Sequence, residues 1–335
     1  DPSRSIFYGA DWYRDYFWSD SAFAELEQQL ADGWKAKLSL RHAQNNFDLT
    51  QAYARNAGGI DPADNLVDIN AVRFDYREEQ NEVDAYVDGP FSLFGREHKL
   101  LVGANYSRSE FFNKGDYDAD TDSLGSVNLF NPQVSGAPDL VAKQNVLADT
   151  RQRGIYSNLR LSLADPLTLV LGGRLSWWDF DNTTYTPTGT LTGKSNDNID
   201  GEFTPFVGLV YDINQTYSLY ASYTDIFNPQ NYKDKDNNLL EPVLGSNAEV
   251  GLKAEYFDGK LTMSTALFKT KQDNYAVRDM TQPDNSLPDG SAPSLTMCAI
   301  TSATNCRRSY DFSVVNSLGT STGTESRGLS PFAVL

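Results

Sequence analysis

Long apolar runs are missing from this 335-residue chain. No stretch approaches the roughly 20 consecutive apolar residues of a membrane-crossing helix. That excludes a helical span but not a span made of strands, in which only alternate residues meet lipid. Histidine and cysteine are scarce, at two each. His98 falls beside a predicted short turn and His42 at the far end of another strand, so a histidine-based metal centre is not expected. Basic residues are also few, 28 Lys and Arg against 45 Asp and Glu for a net charge of −17. Nucleic acid is thereby excluded as a partner, because its phosphates would be repelled. No nucleophile, base and orienting group fall into an enzyme-like pattern. The run Asp116 to Asp122 imitates the start of a calcium loop, but it has Thr121 where such a loop needs Gly and Val127 where it needs Glu. Cys298 and Cys306 lie close together in a polar stretch. They fit a local disulfide in an oxidising compartment, with two free thiols as the alternative.

What the chain does have is alternation. Leu159-Arg160-Leu161-Ser162-Leu163 and Leu167-Thr168-Leu169-Val170-Leu171 flank the turn Ala164-Asp165-Pro166. The same design recurs at Trp34 to Arg41, Val207 to Tyr223 and Val250 to Leu267. Successive strand residues point to opposite faces, so each run has one apolar and one polar face. Strands are predicted at 21–30, 34–43, 71–88, 98–109, 155–163, 167–179, 203–211, 217–224, 250–256, 261–271 and 310–316. Short turns join alternate pairs at 31–33, 91–97, 164–166, 212–215 and 257–260. Asp258-Gly259 is a strong short-turn signal there. Long polar loops are predicted at 1–20, 45–68, 113–149, 182–200, 225–245 and 272–308, all on the other side. Short turns on one side and long loops on the other are the pattern of an outer-membrane barrel. The predicted fold class is therefore all-β, a transmembrane antiparallel β-barrel of about eleven strands.

The faces can be assigned. Leu167, Leu169, Leu171, Leu175 and Trp177 share the lipid phase; Thr168, Gly172, Arg174, Ser176 and Trp178 share the lumen phase. A one-residue slip would put Arg174 into hydrocarbon, at a cost of roughly 2–4 kcal/mol near the midplane. Trp34, Tyr211, Tyr217 and Tyr256 stand beside the short turns and suit an interfacial aromatic girdle. Aromatics make up 12% of the chain, enough to supply both girdles and ligand-facing loops. An odd number of alternating strands cannot close with every neighbour antiparallel, and an open edge leaves backbone groups unpaired in lipid. The expectation is therefore an incomplete barrel over residues 1–328, with an atypical tail at 329–335 that lacks alternation.

Phe203-Thr204-Pro205-Phe206-Val207-Gly208-Leu209-Val210-Tyr211, Ser218 to Asn231, Leu240-Glu241-Pro242, Gly245 to Lys253 and Tyr256 to Leu261 together form a specific set. With Phe94-Gly95-Arg96-Glu97-His98 and Gly172-Gly173-Arg174, it resembles the barrel of TonB-dependent siderophore receptors of the ferric-coprogen and ferric-pyoverdine type. The resemblance covers roughly 11–328. It implies a barrel of about 22 strands around a plugged lumen, of which this chain carries about half, without the plug domain and the N-terminal TonB box. It implies an outer-membrane receptor and transporter for ferric siderophores, energised through the TonB-ExbB-ExbD system by way of that N-terminal region. This chain alone is expected not to transport. Iron would arrive already chelated, so no cofactor is expected.

Aromatics near the external rim are the best ligand candidates, because such pockets combine aromatic walls with a few polar anchors. Trp12, Tyr13, Tyr16, Trp18 and Trp178 are the expected walls; Arg174, Gln230, Asn231 and Arg278 are the expected anchors. For the Trp residues, loop packing or an outer aromatic belt is the competing reading. Two functional rivals stand beside the receptor. One is a passive outer-membrane porin; the other is a secreted glycan-binding β-sandwich, which would bury its apolar faces between two sheets.

Overall fold

The computed structural model describes residues 5–6, 10–55, 65–114, 123–134, 136, 140, 142–233 and 238–278, with the backbone of 297–299 and 313–320; within these, residues 54–55, 123–124 and 277–278 are likewise described by backbone alone. Nearly everything described is strand. The elements are β1 (Arg14–Gln29), β2 (Lys35–Arg55), β3 (Leu66–Leu93), β4 (Arg96–Asn113), β5 (Ser123–Asn128), β6 (Asn145–Ala164) and β7 (Leu167–Tyr185). They continue with β8 (Leu191–Asp212), β9 (Tyr217–Asn228), β10 (Val243–Tyr256), β11 (Leu261–Asp273), β12 (Ala276–Arg278), β13 (Met297–Ala299) and β14 (Ser313–Thr320). One 3-10 turn, Ala31–Gly33, joins β1 to β2. No helix among the described residues is long and apolar enough to cross a membrane.

Hydrogen bonding follows chain order, β1-β2-β3-β4-β6-β7-β8-β9-β10-β11-β14, with β5 added on β3 and β12 paired to β13. This is the up-and-down order that the alternating short turns require. The eleven predicted strands are found, with two differences: β5, β12 and β13 fall in 113–149 and 272–308, expected as loops, and strands run much further at the long-loop end. Residues 182–200, expected as a loop, are the ends of β7 and β8, closed at 186–190 by Thr186 N–H on the Thr190 carbonyl at 2.7 Å. Most of 45–55, expected as loop, is β2, and 145–149 belongs to β6. The physical reason is visible in the sequence. Asn182-Thr183-Thr184 and Lys194-Ser195-Asn196 are polar in both phases, so they show no apolar face, yet they pair by backbone bonds that alternation does not report. The turn expected over 91–97 is also tighter, with only Phe94-Gly95 between β3 and β4.

The chain divides into two compact units: Asp1–Val87 with Gly103–Ile155 and Leu175–Glu202, and Asp88–Val102 with Tyr156–Arg174 and Phe203–Leu335. In the first, the β1–β2 register is unbroken from Arg14↔Thr50 to Gln29↔Lys35. It puts Ala22, Ala24, Leu26, Leu38 and Leu40 on one face and Glu25, Glu27, Lys37, Ser39 and Arg41 on the other. The polar face carries the Lys37–Glu25 pair at 2.9 Å and the Arg41–Glu82 pair at 3.6 Å.

In the second unit, Val207, Leu209, Leu219, Val250, Leu252, Met263 and Leu267 share one face and are exposed. A β-sandwich would cover that face with a second sheet; a barrel presents it to lipid. The opposite face carries Ser218, Tyr220, Ser222, Glu249 and Lys253. Tyr220 donates its hydroxyl hydrogen to Glu249, and Lys253 Nζ lies 5.2 Å from the Tyr220 ring centre. The sequence phase of 167–178 is kept. In the first unit, Trp178 is buried, whereas Trp177 opens onto a recess of about 490 Å³ with Ala104, Arg153, Ile155 and Asp200.

Gly251 pairs directly with Tyr220, and a Cβ at Gly251 would stand 2.5 Å from the tyrosine ring. The ring lies across the strand because the glycine has no side chain. We expect Gly251→Ala to destabilise the folded protein by about 1–3 kcal/mol through overpacking. Urea unfolding in detergent checks this, and Tyr220→Ala in the same chain should remove most of the penalty. Additive losses in the double variant would mean that the ring and the glycine are not coupled.

Candidate functional site

Two groups of aromatic rings gather on the polar face of the first unit, at the end away from the short turns. Phe17 stands opposite Phe47 in the β1–β2 register. Phe47 stacks on Tyr76 at 6.1 Å, and Tyr76 also meets Phe74 at 5.3 Å and Phe111 at 5.0 Å. The second group is Trp178 on Phe180, nearly parallel at 5.7 Å. These side chains share a face because they alternate along their strands, as at Phe74 and Tyr76 or Trp178 and Phe180. Polar groups continue that face, with the Ser109 hydroxyl donating to Glu78 at 3.0 Å and the Gln80 amide to Glu78 at 2.8 Å. Phe111 is the sixteenth residue of β4 counted from its short turn. A strand needs only ~9–11 residues to cross a bilayer, so this cluster stands beyond the hydrocarbon. Flat ring faces with carboxylate and amide neighbours suit an organic chelate with aromatic and polar parts.

The opposite face of the same strand ends changes abruptly in character. Below, it is apolar, with Val102, Tyr106 and Ile155 exposed. Above, it becomes a lattice of ion pairs. Arg108 grips both oxygens of Asp149, at 3.1 Å and 2.8 Å, and reaches Glu110 at 2.9 Å. Arg151 joins Asp149 at 3.4 Å and also binds Asp181, which accepts from Asn196. Arg153 holds Asp179 at 3.1 Å. Further along, Arg77 bonds Gln44 at 3.1 Å and Glu79 at 3.3 Å. The lattice ties β4, β6, β7 and β8 together where no lipid supports them. The Asp149 hydrogen bond holds the Arg108 guanidinium protonated well above its usual range, even against burial. Burial pushes the Asp149 carboxyl up, but hydrogen bonds and charge from Arg108, with Arg151, outweigh it and leave the carboxyl below its ordinary range.

The expected ligand residues are placed as follows. Trp12 is half-buried, and Tyr13, Tyr16 and Trp18 are exposed. The register puts Tyr16 and Trp18 on the face of Ala22, Ala24 and Leu26, the apolar one, so they fit an outer aromatic belt rather than a lumen wall. Trp178 is on the polar face, as its phase predicted, but only 4% exposed. Arg174 is half-buried on the polar face of the second unit, where its carbonyl accepts from the Thr204 hydroxyl at 3.4 Å. Gln230 is buried and donates to the carbonyls of Glu241, in its own loop, and Asn274, just past β11, so its amide ties these two segments together. Asn231 is exposed. Arg278 contributes backbone to β12, with its side chain outside the described residues, and Cys298 contributes backbone to β13. Cys306, and with it the disulfide, lies outside the described residues, as does 116–122. Among the described residues no group of three or more His, Cys, Asp or Glu side chains is placed to hold a metal ion. His42 instead bonds Asn81 at 2.9 Å, and His98 braces a short turn, with Nε2 donating to the Leu93 carbonyl and Nδ1 accepting from Ser162 N–H, both at 3.0 Å.

Phe17, Phe47, Phe74, Tyr76 and Phe111 were not singled out from the sequence. Phe47 lay in a predicted loop and Phe111 past a predicted strand end. Phe74-Asp75-Tyr76, two rings in the phase of Glu78 and Gln80, was the signal available.

Residues 1–329 match the family described as TonB dependent receptor-like, beta-barrel. The ferripyoverdine receptor of Pseudomonas aeruginosa is 38% identical over 287 residues, 83% of this chain and 33% of that protein. The ferric-pyoverdine BN7/BN8 receptor of Pseudomonas putida is 38% identical over 282 residues, 82% of this chain and 34% of that protein. The crystal structure of the outer-membrane ferripyoverdine receptor of Pseudomonas aeruginosa bound to ferripyoverdine superposes with a TM-score of 0.72 at 34% identity, over 89% of this chain and 38% of that one. The chain thus spans about a third of the length of these receptors.

For the ion lattice, the depressed Asp149 carboxyl fixes the sign of a pH effect. Its contribution to stability is present above the ordinary carboxylate pKa of about 4 and is lost as pH falls through the lower folded value. We expect faster amide exchange in 145–153 and 179–185 at pH about 3 than at pH about 6, after correction for intrinsic rates. Asp149→Asn should loosen the same segments at pH about 6 by about 1 kcal/mol, with little further loss on acidification. An unchanged acid response in that variant would assign the effect to other carboxylates.

Proposed function

Because the chain belongs to the TonB dependent receptor-like beta-barrel family, we propose that it is part of the wall of a receptor that captures a ferric siderophore outside the cell. Passage inward then draws on the TonB-ExbB-ExbD system. As a member of this family it is an outer-membrane protein, and the family is one of receptors rather than enzymes. The pyoverdine-type chelates bound by its relatives are the first ligand class to try. Iron is cargo in this reading and arrives wrapped by its chelator, so the protein supplies ring faces and polar anchors rather than iron ligands. None of the relatives named above is a passive pore.

The observation that carries the site assignment is the aromatic group of Phe47, Tyr76 and Phe111 on the polar face, beyond the span of the bilayer. Trp178 and Phe180 are the second wall, and Arg174 and Asn231 stand as further anchor candidates. Tyr16 and Trp18 are assigned to the belt.

Two measurements test this. Deleting the gene should abolish uptake of radioiron supplied as a ferric pyoverdine-type chelate. In the protein purified from its host membrane, Tyr76→Ala with Phe111→Ala should weaken binding of that chelate about tenfold, near 1.4 kcal/mol. Lost uptake with unchanged affinity would keep the receptor and move the site elsewhere on the wall. Unchanged uptake would overturn the receptor reading.

A further inference from the structure

Three of the short turns carry large apolar side chains, at Phe94, Ile213 and Phe257, where turn chemistry asks for small polar ones. Phe94 sits at φ +52° and Gly95 at φ +74°, a two-residue hairpin turn with both residues left-handed. Asn or Asp before Gly is the favoured choice for such a turn, and a bulky residue at positive φ is disfavoured. Phe257 repeats the departure at φ +57°, followed by Asp258 at +55° and Gly259 at +82°. Packing within the chain does not account for either ring, because Phe94 is 93% exposed and Phe257 is 73% exposed. Ile213, at the turn between β8 and β9, is 53% exposed.

Phe257 and Ile213 continue an apolar surface. Tyr256 directly precedes Phe257, with ring centres 6.4 Å apart, and Tyr256 also meets Tyr217 hydroxyl to hydroxyl at 2.8 Å. Tyr211 and Tyr217 flank Ile213 in sequence. Beyond these tyrosines, the outward face of the second unit is the exposed band of Val207, Leu209, Leu219, Leu252 and Met263. Basic groups follow the two rings: Arg96 two residues after Phe94, paired with Asp165 at 2.7 Å, and exposed Lys260 three residues after Phe257. Exposed rings at the end of an apolar band suit the boundary between acyl chains and phosphodiester headgroups.

We propose that Phe94 and Phe257, assisted by Ile213, are inserted into the phospholipid headgroup layer of the inner leaflet and fix the depth of the strands in the membrane. The cost of a left-handed phenylalanine is retained because the ring is covered by lipid rather than by protein. The inference rests on the chain's membrane-spanning family, not on its ligand. The turn Asp165-Pro166 has no large apolar side chain and serves as an internal control.

The test uses the protein as its host makes it, reconstituted into vesicles of phosphatidylethanolamine and phosphatidylglycerol. An environment-sensitive fluorophore is attached at Phe94→Cys, Phe257→Cys or Asp165→Cys, each in a Cys298→Ser, Cys306→Ser background. At 94 and 257 the label should emit further to the blue than at 165, be quenched by lipids nitroxide-labelled in the headgroup region, and resist iodide. Equal iodide quenching at all three positions would overturn the proposal. A second arm avoids the apolar character of the label. Phe94→Asn creates the favoured Asn-Gly turn, so on turn chemistry alone the unfolding midpoint in vesicles should rise; anchoring predicts that it falls. A midpoint that rises or stays constant would overturn the proposal, and neither arm depends on siderophore binding.

Discussion

Backbone groups cannot be left unpaired in hydrocarbon, and that one constraint orders the rest of this chain. Every strand that crosses must be hydrogen-bonded to its neighbour throughout its length. Consecutive strands joined by short turns meet that demand with the least chain, and the observed pairing follows sequence order accordingly. Once the ladder is fixed, the only freedom left is which residues point to which side. Period-two alternation then separates a lipid face from a lumen face at every position. Registers such as Arg14↔Thr50 through Gln29↔Lys35 hold because a one-residue slip would exchange Leu38 and Leu40 for Lys37 and Arg41.

The same ladder outlives the membrane. Past the ~9–11 residues that lipid requires, β4, β6, β7 and β8 continue as paired strands. Lipid no longer selects the residues there, and the outward face turns from Val102 and Tyr106 to Arg108, Asp149, Arg151 and Asp181. Ion pairs among exposed side chains are individually weak. Here they form a network with a bidentate member and share Asp149 between two arginines, which holds neighbouring strand ends in register. In the proposed binding role, a stiff extension holds the rings on the inner side, Phe47, Tyr76 and Phe111, in one arrangement. Preorganised surfaces lose less freedom on binding.

Legibility in the sequence followed the solvent. Where lipid lies on one side, Leu167-Thr168-Leu169 and Val207-Gly208-Leu209 could be read directly, and the all-β class, strand order and short turns came with them. Where water lies on both sides, at 182–200, the residues are mostly polar in both phases and the strand ends read as loops; at 45–55 the alternation of Phe47, Leu49 and Tyr53 with Asp48 and Thr50 was short and went unread. The ligand candidates suffered from the same blindness. Tyr16 and Trp18 had no phase in the sequence because 1–20 was read as a loop; β1 begins at Arg14 and its register gives them the phase of Leu26. Gln230 read as an anchor because its type is polar, whereas its amide is spent on the carbonyls of Glu241 and Asn274. The rings that do cluster were hidden, Phe47 in a supposed loop and Tyr76 in a strand whose partners could not be known from one sequence.

Glycine and aromatic residues show how far a single strand sequence underdetermines its neighbours. Gly251 and Tyr220 each look unremarkable alone. Paired across β9 and β10, they make a ring-over-glycine contact in which a single methyl group would collide with two ring carbons and the hydroxyl oxygen. Gly173 does the same for Phe203 on the opposite face, with a hypothetical Cβ only 2.7 Å from the ring. Glycine weakens a strand, through lost conformational entropy and missing side-chain contacts. An aromatic laid over it restores packing and fixes register, since the pair fits at one alignment only. Such contacts on both the lumen and the lipid side explain how a sheet with few fully buried side chains stays in one register. Its specificity comes from neighbouring strands interlocking along the sheet surface rather than from a core.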